Sequence, residues 1–541
     1  MLGKLFHGES KSVISGAAVV AFLSLASRFV GLVRDRLLAG HFGAGDVLDV
    51  YYAAFKLPDL FFNLIVVGAL SASFIPIFTK HFFSEGKRER AWEVTNNVLH
   101  LLLSGMIAVS LVLLVAARPV AMLIAPGFSP EKQLAVASFT RVMLLAEILL
   151  AASMIFGSVL QGIRRFFLSS LAPIFYNLGI IAGALWFVPA VGPIGLAWGV
   201  VFGAFLHLTI QLVGARAAGW RHAWMFRPRD ADSREILRLM GPRVVGIGTA
   251  QINFVVFTMI ASTLAAGSVT LFQFAYNIQY FPVGIVGVSY AIAAFPSFAE
   301  TLSKEDKRGF VSVFSSTVRQ LLFFLVPLTV MFLLLRAQLV RVIVGAGRFT
   351  WAETIMTANT LGFFTVSFVS QTLVMVLSRA FYALRDTATP LVMAVATDAL
   401  ALAVALWLRP SFGVLGLAIA FSLSAIVESG LLWAALHRRV GALGGRGILR
   451  SSWIIAVAAL SAGVVMQMMK PLVAAHFPLT TFWNVLLQGA VSGGIGLFVY
   501  VLASAALGSP ELGAVVASVR RKLLSRAKPT EAVTADAPPA A

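Results

Sequence analysis

Residues 14–38 read ISGAAVVAFLSLASRFVGLVRDRLL, an apolar run that nevertheless carries Arg28, Arg34, Asp35 and Arg36. A helix needs about 20 mostly apolar residues to cross a hydrocarbon core about 30 Å thick. A charge near the centre of that core costs about 2.5–3.5 kcal/mol on insertion scales. The stretch therefore predicts a membrane helix whose charged side faces away from lipid. Similar apolar runs recur throughout the 541 residues, which are 59% hydrophobic and 12% charged, with a mean hydropathy of +0.90. Soluble chains carry about 25% charged residues. The fold expected is an all-α polytopic membrane protein.

Fourteen spans are predicted, near 14–38, 47–79, 93–117, 134–161, 168–188, 193–215, 236–264, 270–300, 311–335, 352–382, 388–408, 413–436, 451–469 and 481–507. The first run has no cleavage site after it and the chain keeps re-entering the membrane, which argues against a removable signal peptide. There is no cysteine. Disulfides, thiolate metal sites and cysteine nucleophiles are therefore excluded.

The net charge is +19. A nucleic-acid partner is not expected, because the basic residues sit in short loops between spans rather than on one soluble face. Of the 42 Lys and Arg, the odd-numbered loops hold only Arg118, Lys132, Arg336, Arg341, Arg348, Arg409 and Lys470. The N-terminus, the even-numbered loops and the C-terminal tail are much richer. By the positive-inside rule both termini are expected in the cytoplasm, consistent with an even number of spans.

The chain also repeats itself. Gly192-Pro-Ile-Gly195-Leu196-Ala197 returns as Gly413-Val-Leu-Gly416-Leu417-Ala418, and Arg164 returns as Arg385, both at a shift of 221 residues. Ala44-Gly45 returns as Ala266-Gly267, and Phe74-Ile-Pro76-Ile-Phe78 resembles Phe295-Pro296-Ser-Phe298. Six spans per repeat give two halves of the same orientation, an arrangement that transporters use with the substrate between the lobes. The expected organisation is an N-terminal lobe at 1–216, a basic cytoplasmic connector at 217–235 and a C-terminal lobe at 236–437. Two added spans follow at 451–507, then a tail at 508–541. The tail's basic stretch, Arg520-Arg521-Lys522 through Lys528, suits the anionic inner leaflet. Its Ala- and Pro-rich end, 530–541, is expected to be disordered.

Spacing shows where the buried charges point. Ser24, Arg28, Gly31 and Asp35 lie on one helical face, as do Asp49, Tyr52, Lys56, Asp59 and Asn63 on the second span. Arg34 points roughly 120° from the Arg28 stripe, so it meets a different neighbour or the inner rim. Span 8 adds an uncharged polar stripe of Gln273, Tyr276, Asn277 and Tyr280. One reading is that Arg28–Asp35 and Asp49–Lys56 are paired charges tying two helices together. The other is a water-filled cavity lined by all three stripes, with the cations suited to an anionic headgroup, since Arg grips phosphate or carboxylate as a fork. Arg141, Glu147, Arg319, Asp398 and Glu428 are further intramembrane charges, and Glu147, Asp398 and Glu428 are candidates for ion or proton coupling. Pro58, Pro76, Pro282 and Pro296 can kink helices around a cavity.

Walker A loops, paired-His metal helices and nucleophile elbows are absent. No enzyme activity, cofactor or metal site is expected, and transport would draw on a cation gradient, the membrane potential or the substrate's own gradient. A membrane glycosyltransferase or ligase needs catalytic groups in sizeable outer loops. The largest here, 118–133 and 336–351, carry only Arg118, Glu131, Lys132, Arg336, Arg341 and Arg348. A non-transporting scaffold would leave the buried charges dispensable.

Ser27-Arg28-Phe-Val-Gly31-Leu-Val-Arg34-Asp35, Phe42-Gly43-Ala44-Gly45, Asp49 and Ala54-Phe55-Lys56-Leu57-Pro58 resemble the opening of the MurJ (MviN) lipid II flippases, of the multidrug/oligosaccharidyl-lipid/polysaccharide exporter superfamily. Further matches are Gly68-Ala69, Ala125-Pro126-Gly127-Phe128, Ala172-Pro173 with Asn177, Gly241-Pro242, Phe281-Pro282 with Gly287-Val288, Gly347-Arg348-Phe349-Thr350, and Phe381-Tyr382 with Arg385-Asp386 and Thr389-Pro390. The resemblance spans about 12–505. It implies a fourteen-helix, two-lobed flippase of the bacterial cytoplasmic membrane that carries undecaprenyl-pyrophosphate-linked disaccharide-pentapeptide to the outer leaflet. Its partners would be that lipid-linked anionic substrate, membrane lipids and cell-wall synthesis proteins. By matching position, Arg28, Arg34, Asp35, Asp49 and Lys56 inherit the roles of the family's cavity charges. The lipid tail would ride in a groove formed with the last two spans. The chain departs from the family pattern at Asp59, Phe62-Asn63, Val67-Gly68 and Tyr276-Asn277, where two cavity arginines and a glutamate are missing. Export of another polyprenyl-linked glycan or of an amphipathic solute therefore stays open.

Overall fold

The computed structural model describes residues 13–64, 70–478 and 480–527, with side chains except at 13–18, 70–72, 241–250, 519 and 521–527. Val67-Gly68, Ala69 and the tail from 528 lie outside these residues, and so do the side chains of Pro242, Arg521 and Lys522.

Among the described residues every regular element is helical. In chain order they are α1 (Val13–Phe42), α2 (Asp46–Phe62), α3 (Leu70–Thr79), α4 (Arg88–Ile124), α5 (Pro130–Gly162), α6 (Phe166–Ala182), α7 (Val188–Val191), α8 (Gly195–Ala217), α9 (Ala231–Ser262), α10 (Ser268–Ser303), α11 (Lys307–Leu334), α12 (Arg336–Ile343), α13 (Trp351–Val366), α14 (Phe368–Ala383), α15 (Ala388–Phe412), α16 (Val414–Val440), α17 (Gly445–His476), α18 (Phe482–Ala506) and α19 (Pro510–Ala527). Short π-helical turns follow α3 and α6. Local chemistry sets several starts. Ser129 caps α5 with Pro130 at its first position, Asp230 caps α9 through the Ser233 N–H, and Thr350 with Glu353 closes a capping box on α13.

Ten helical stretches among the described residues, one of them α6 continued through its π turn into α7, are long and apolar enough to cross a membrane, and the count rises to eleven if α13 and α14 are taken together as one broken span. The other three predicted spans, 14–38, 47–79 and 236–264, each include residues beyond the full description, so the expected fourteen is neither reached nor exceeded by this count. The repeat shows in the backbone. Arg164 and Arg385 both take the left-handed conformation, at φ 61° and 60°, and the next residue of each closes the same turn five residues back. Arg165 N–H donates to Leu160 O at 2.8 Å and Asp386 N–H to Phe381 O at 2.9 Å.

By contact density the chain divides into two compact units. The first comprises Met1–Phe281, Arg336–Ser367 and Thr387–Leu431, and the second Pro282–Leu335, Phe368–Asp386 and Leu432–Ala541. The boundary passes through α10 and does not follow the sequence repeat.

In the first unit α5 is the central helix, packed against α4, α8 and α2. α6 and α8 approach closely through glycines: a Cβ on Gly179 would stand 2.2 Å from the Gly203 Cα. Small residues are what let membrane helices touch backbone to backbone. The connector is fastened to the start of α4. Arg90 bonds Asp230 and Asp232, and Asn96 and Asn97 bond the backbone of Arg221 and Arg227. Partial burial pushes the Asp230 carboxyl up, but the bonds from Arg90 and Ser233 outweigh it and hold it below the usual carboxylate range.

In the second unit α17 packs on α18 and on α11. The Tyr500 hydroxyl donates to Phe323 O at 2.8 Å. α19 is anchored by buried Glu511, which accepts from Ser451 and Ser509 and pairs with Arg319 at 3.5 Å. The intramembrane charge Arg319 is thus locally paired, and Arg141 bonds the Leu114 carbonyl.

Candidate substrate site

From Gly267 to Tyr280 only four residues escape burial: Gln273, Tyr276, Asn277 and Tyr280. They are the polar stripe that the helical period puts on one face of α10. Opposite this stripe, α1 and α2 supply the charges, and hydrogen bonds join them into one relay. Arg34 Nη1 donates to Asn177 Oδ1 of α6 at 2.9 Å. Its Nε and Nη2 donate to Asp35 Oδ1 at 3.0 and 2.8 Å. Asp35 Oδ2 accepts from Asn277 Nδ2 at 3.1 Å, and Asn277 Oδ1 accepts from Gln273 Nε2 at 2.8 Å. Gln273 Oε1 accepts from Lys56 Nζ at 2.7 Å. Asn177, Arg34, Asp35, Asn277, Gln273 and Lys56 thus connect four helices.

The pairing reading is corrected in its details. Asp35, only 3% exposed, pairs with its chain neighbour Arg34 rather than with Arg28. Arg28 lies over the Tyr280 ring, 5.7 Å from its centroid, and Tyr280 stacks on Tyr276. Lys56 bonds an amide and sits 5.9 Å from the Phe254 ring, rather than bonding Asp49.

Asp49 has a different occupation. It is 1% exposed and accepts three hydrogen bonds, from Gly267 N–H at 2.7 Å, Thr270 N–H at 2.9 Å and the Thr270 hydroxyl at 2.7 Å. These are the free donors at the start of α10, where a carboxylate also meets the positive end of the helix. Asp49 therefore caps α10 and stays outside the relay. Asp49→Ala should leave three donors buried without partners, at about 1–3 kcal/mol each before relaxation. The purified variant is expected to melt well below the parent and to accumulate poorly in membranes. An unchanged melting profile would overturn the capping role.

Asp59 is exposed, one turn from Lys56, and no bond to its carboxylate is described. Asn63 donates to the Asp59 carbonyl within its own helix, at 2.8 Å. Neither joins the relay. Elsewhere in the unit, buried Glu147 keeps one oxygen without a partner, and Asp398 accepts from Asn253 at 2.7 Å, with Glu428 within electrostatic reach. Among the described residues no three His, Asp or Glu side chains group as metal ligands. The sequence reading missed Asn177 as a site residue. Its signal was slight, a lone amide on the apolar helix α6, one turn after Pro173.

The C-terminal end of α1 is tied down by the Gly347-Arg348-Phe349-Thr350 loop. Gly347 has φ +49°, and a Cβ there would stand 2.3 Å from the Gly40 carbonyl oxygen, so the loop can approach only as glycine. Arg348 N–H donates to that oxygen at 2.8 Å, Arg36 Nη1 donates to Val342 O at 2.6 Å, and Ala44 N–H donates to Glu353 Oε1 at 2.7 Å.

The family model "Lipid II flippase MurJ" matches residues 38–487. The chain belongs to the MurJ family. The match begins after Arg28, Arg34 and Asp35, but relatedness reaches further. A "Probable lipid II flippase MurJ" of Rhizobium tropici is 27% identical over 542 residues, covering 97% of this chain and all of the relative. One from Rhizobium meliloti (strain 1021) is 31% identical, covering 79% of this chain and 81% of the relative. The solved MurJ in an inward closed conformation superposes with a TM-score of 0.74 at 21% identity, over 90% of this chain and 98% of that one. An inward-facing MATE transporter of the MOP superfamily follows at TM-score 0.65 and 16% identity, over 79% of this chain and 99% of that one. At these identities the structural likeness speaks to the fold, which this chain shares with MurJ and MATE transporters.

Proposed function

We propose that this chain is a transporter, a lipid II flippase that carries the polyprenyl-diphosphate-linked precursor from the inner to the outer leaflet by alternating access, without enzymatic turnover. The observation that carries the reading is the relay. Lys56 is held by the Gln273 amide and Arg28 by the Tyr280 ring, both on α10, and of the three cations only Arg34 is salt-bridged, to Asp35, so an entering anionic headgroup can replace weak partners at two of them. Arg28, held only over an aromatic face, offers a free guanidinium fork, and Lys56 a compact charge. The protein would sit in the bacterial cytoplasmic membrane with both termini inside, beside cell-wall synthesis proteins. Asp398 with Asn253 and Glu428, and buried Glu147, are the groups we would assign to ion or proton coupling.

The test is rescue of a bacterium depleted of its own lipid II flippase. The parent chain should restore growth and Arg28→Ala should not, at equal membrane levels. A well-expressed parent that fails, or full rescue by Arg28→Ala, would sink the assignment. A second reading, another polyprenyl-linked glycan, is favoured by the amides at Gln273 and Asn277, since resemblance to the family led us to expect charge beside the latter. Mass spectrometry of the lipid that co-purifies separates the two.

A further inference from the structure

The connector is held rigidly, yet it displays aromatic and cationic side chains to its surroundings. Its backbone wraps around three polar residues of α4. Trp220 Nε1 donates to Asn96 Oδ1 at 3.0 Å, and Asn96 Nδ2 donates to Arg221 O at 3.0 Å. Asn97 accepts from Arg227 N–H at 2.7 Å and donates to Ser233 Oγ at 2.7 Å. His100 meets His222, Nε2 to Nε2 at 3.2 Å, and its ring lies 4.5 Å from that of Trp224. With the apolar core on the other side, residues 94–100 of α4 are all buried. Between these ties, Trp224 is 76% exposed and Phe226 50%, with Arg221, Arg227 and Arg229 exposed alongside them. The nearby acids are already used: Asp230 and Asp232 both bond Arg90.

The height of this display along α4 is informative. His100 is the last polar residue before the run Leu101-Leu102-Leu103, and α4 exposes Ile107, Leu111, Val112 and Val115 beyond it. At 1.5 Å per residue, Ile107 lies about 10 Å deeper than His100. Trp224 thus stands where the surface of α4 changes from polar to lipid-facing. That is the level at which Trp side chains settle in membranes, and where Arg meets the anionic cytoplasmic leaflet.

We propose that residues 221–229 form a pre-organised anchor for anionic phospholipid, with Trp224 and Phe226 in the interfacial layer and Arg221, Arg227 and Arg229 on headgroup phosphates. The inference stands apart from the identity of the flipped substrate. Because α4 already fixes the loop, lipid binding costs little ordering.

The test uses the full chain in nanodiscs of phosphatidylcholine, with and without phosphatidylglycerol. The signal of Trp224 is the fluorescence difference between the parent and Trp224→Phe. Brominated lipids should quench it, most strongly with bromine near the headgroup. Phosphatidylglycerol should increase its protection from aqueous iodide, and salt should weaken that gain. Preference for phosphatidylglycerol should fall about fivefold for each arginine neutralised in Arg227→Gln and Arg229→Gln, with an unchanged melting profile. Free iodide access in both nanodiscs without bromolipid quenching would overturn the proposal. So would protection that is the same with and without phosphatidylglycerol, or a phosphatidylglycerol preference indifferent to both arginines.

Discussion

Arg34→Ala is expected to abolish flipping while the chain still reaches the membrane. Arg34 makes two bonds to Asp35 and one to Asn177, and so joins α1 to α6. Its loss leaves Asp35 buried with only the Asn277 amide as partner. Removing one member of a buried ion pair costs about 3–5 kcal/mol, chiefly through the charge left behind. The relay would be cut at its best-connected member, and the headgroup would lose a guanidinium fork. Arg34→Lys separates the two contributions. It keeps the charge but cannot span Asp35 and Asn177 together, so partial rescue is expected. Growth rescue scored against membrane abundance, together with the melting profile of each variant, provides the measurement. A rescue by Arg34→Ala equal to the parent would remove Arg34 from the mechanism. A variant that fails only because it is absent from the membrane would assign it to the scaffold.

Much of the site was legible because helical period is a local property. The stripe Gln273, Tyr276, Asn277 and Tyr280 could be written down from spacing, and those four are the side chains of that stretch that escape burial. Arg34, set apart from the Arg28 face by its spacing, does meet another neighbour in Asn177, but its other two bonds return to Asp35 on that face. Period cannot report what stands at the far end of a stripe. Asp49 shares a face with Lys56, but it lies seven residues, about 10 Å, away along α2. It falls level with the start of α10 and becomes a cap. Which carboxylate a cation chooses is equally invisible to spacing. Asp35 could pair with Arg28 two turns back or with Arg34 beside it, and only the packing of α6 and α10 decides. Turn chemistry was easier to read than pairing. The Arg164 and Arg385 correspondence, seen as a repeat of letters, is a repeat of left-handed turns.

The other large effect is expected from a lock on the C-terminal end of α1. The parent has no cysteine, so an introduced pair provides the only thiols. A Cβ placed on Gly40 would stand 3.3 Å from the Ala346 Cβ, close to the 3.5–4.5 Å of disulfides and within reach after a shift of a few tenths of an ångström. Gly40→Cys with Ala346→Cys should therefore oxidise readily. Alternating access would require α1 to part from the loop carrying Gly347 and Arg348 when the site opens on this side. Four ties now hold it: Arg36 to Val342, Arg348 to Gly40, Ala44 to Glu353, and the contact at Gly347. The hydrogen bonds among them are of the kind that contribute about 1 kcal/mol net each, so thermal motion with a substrate present can undo them. A covalent bond cannot be undone in that way. Oxidation is expected to drop flipping to background, reductant to restore it, and each single-cysteine variant to stay active under both conditions. Flipping that survives complete disulfide formation would mean that the substrate crosses without separating α1 from this loop, and the gate would have to be sought elsewhere in the fold.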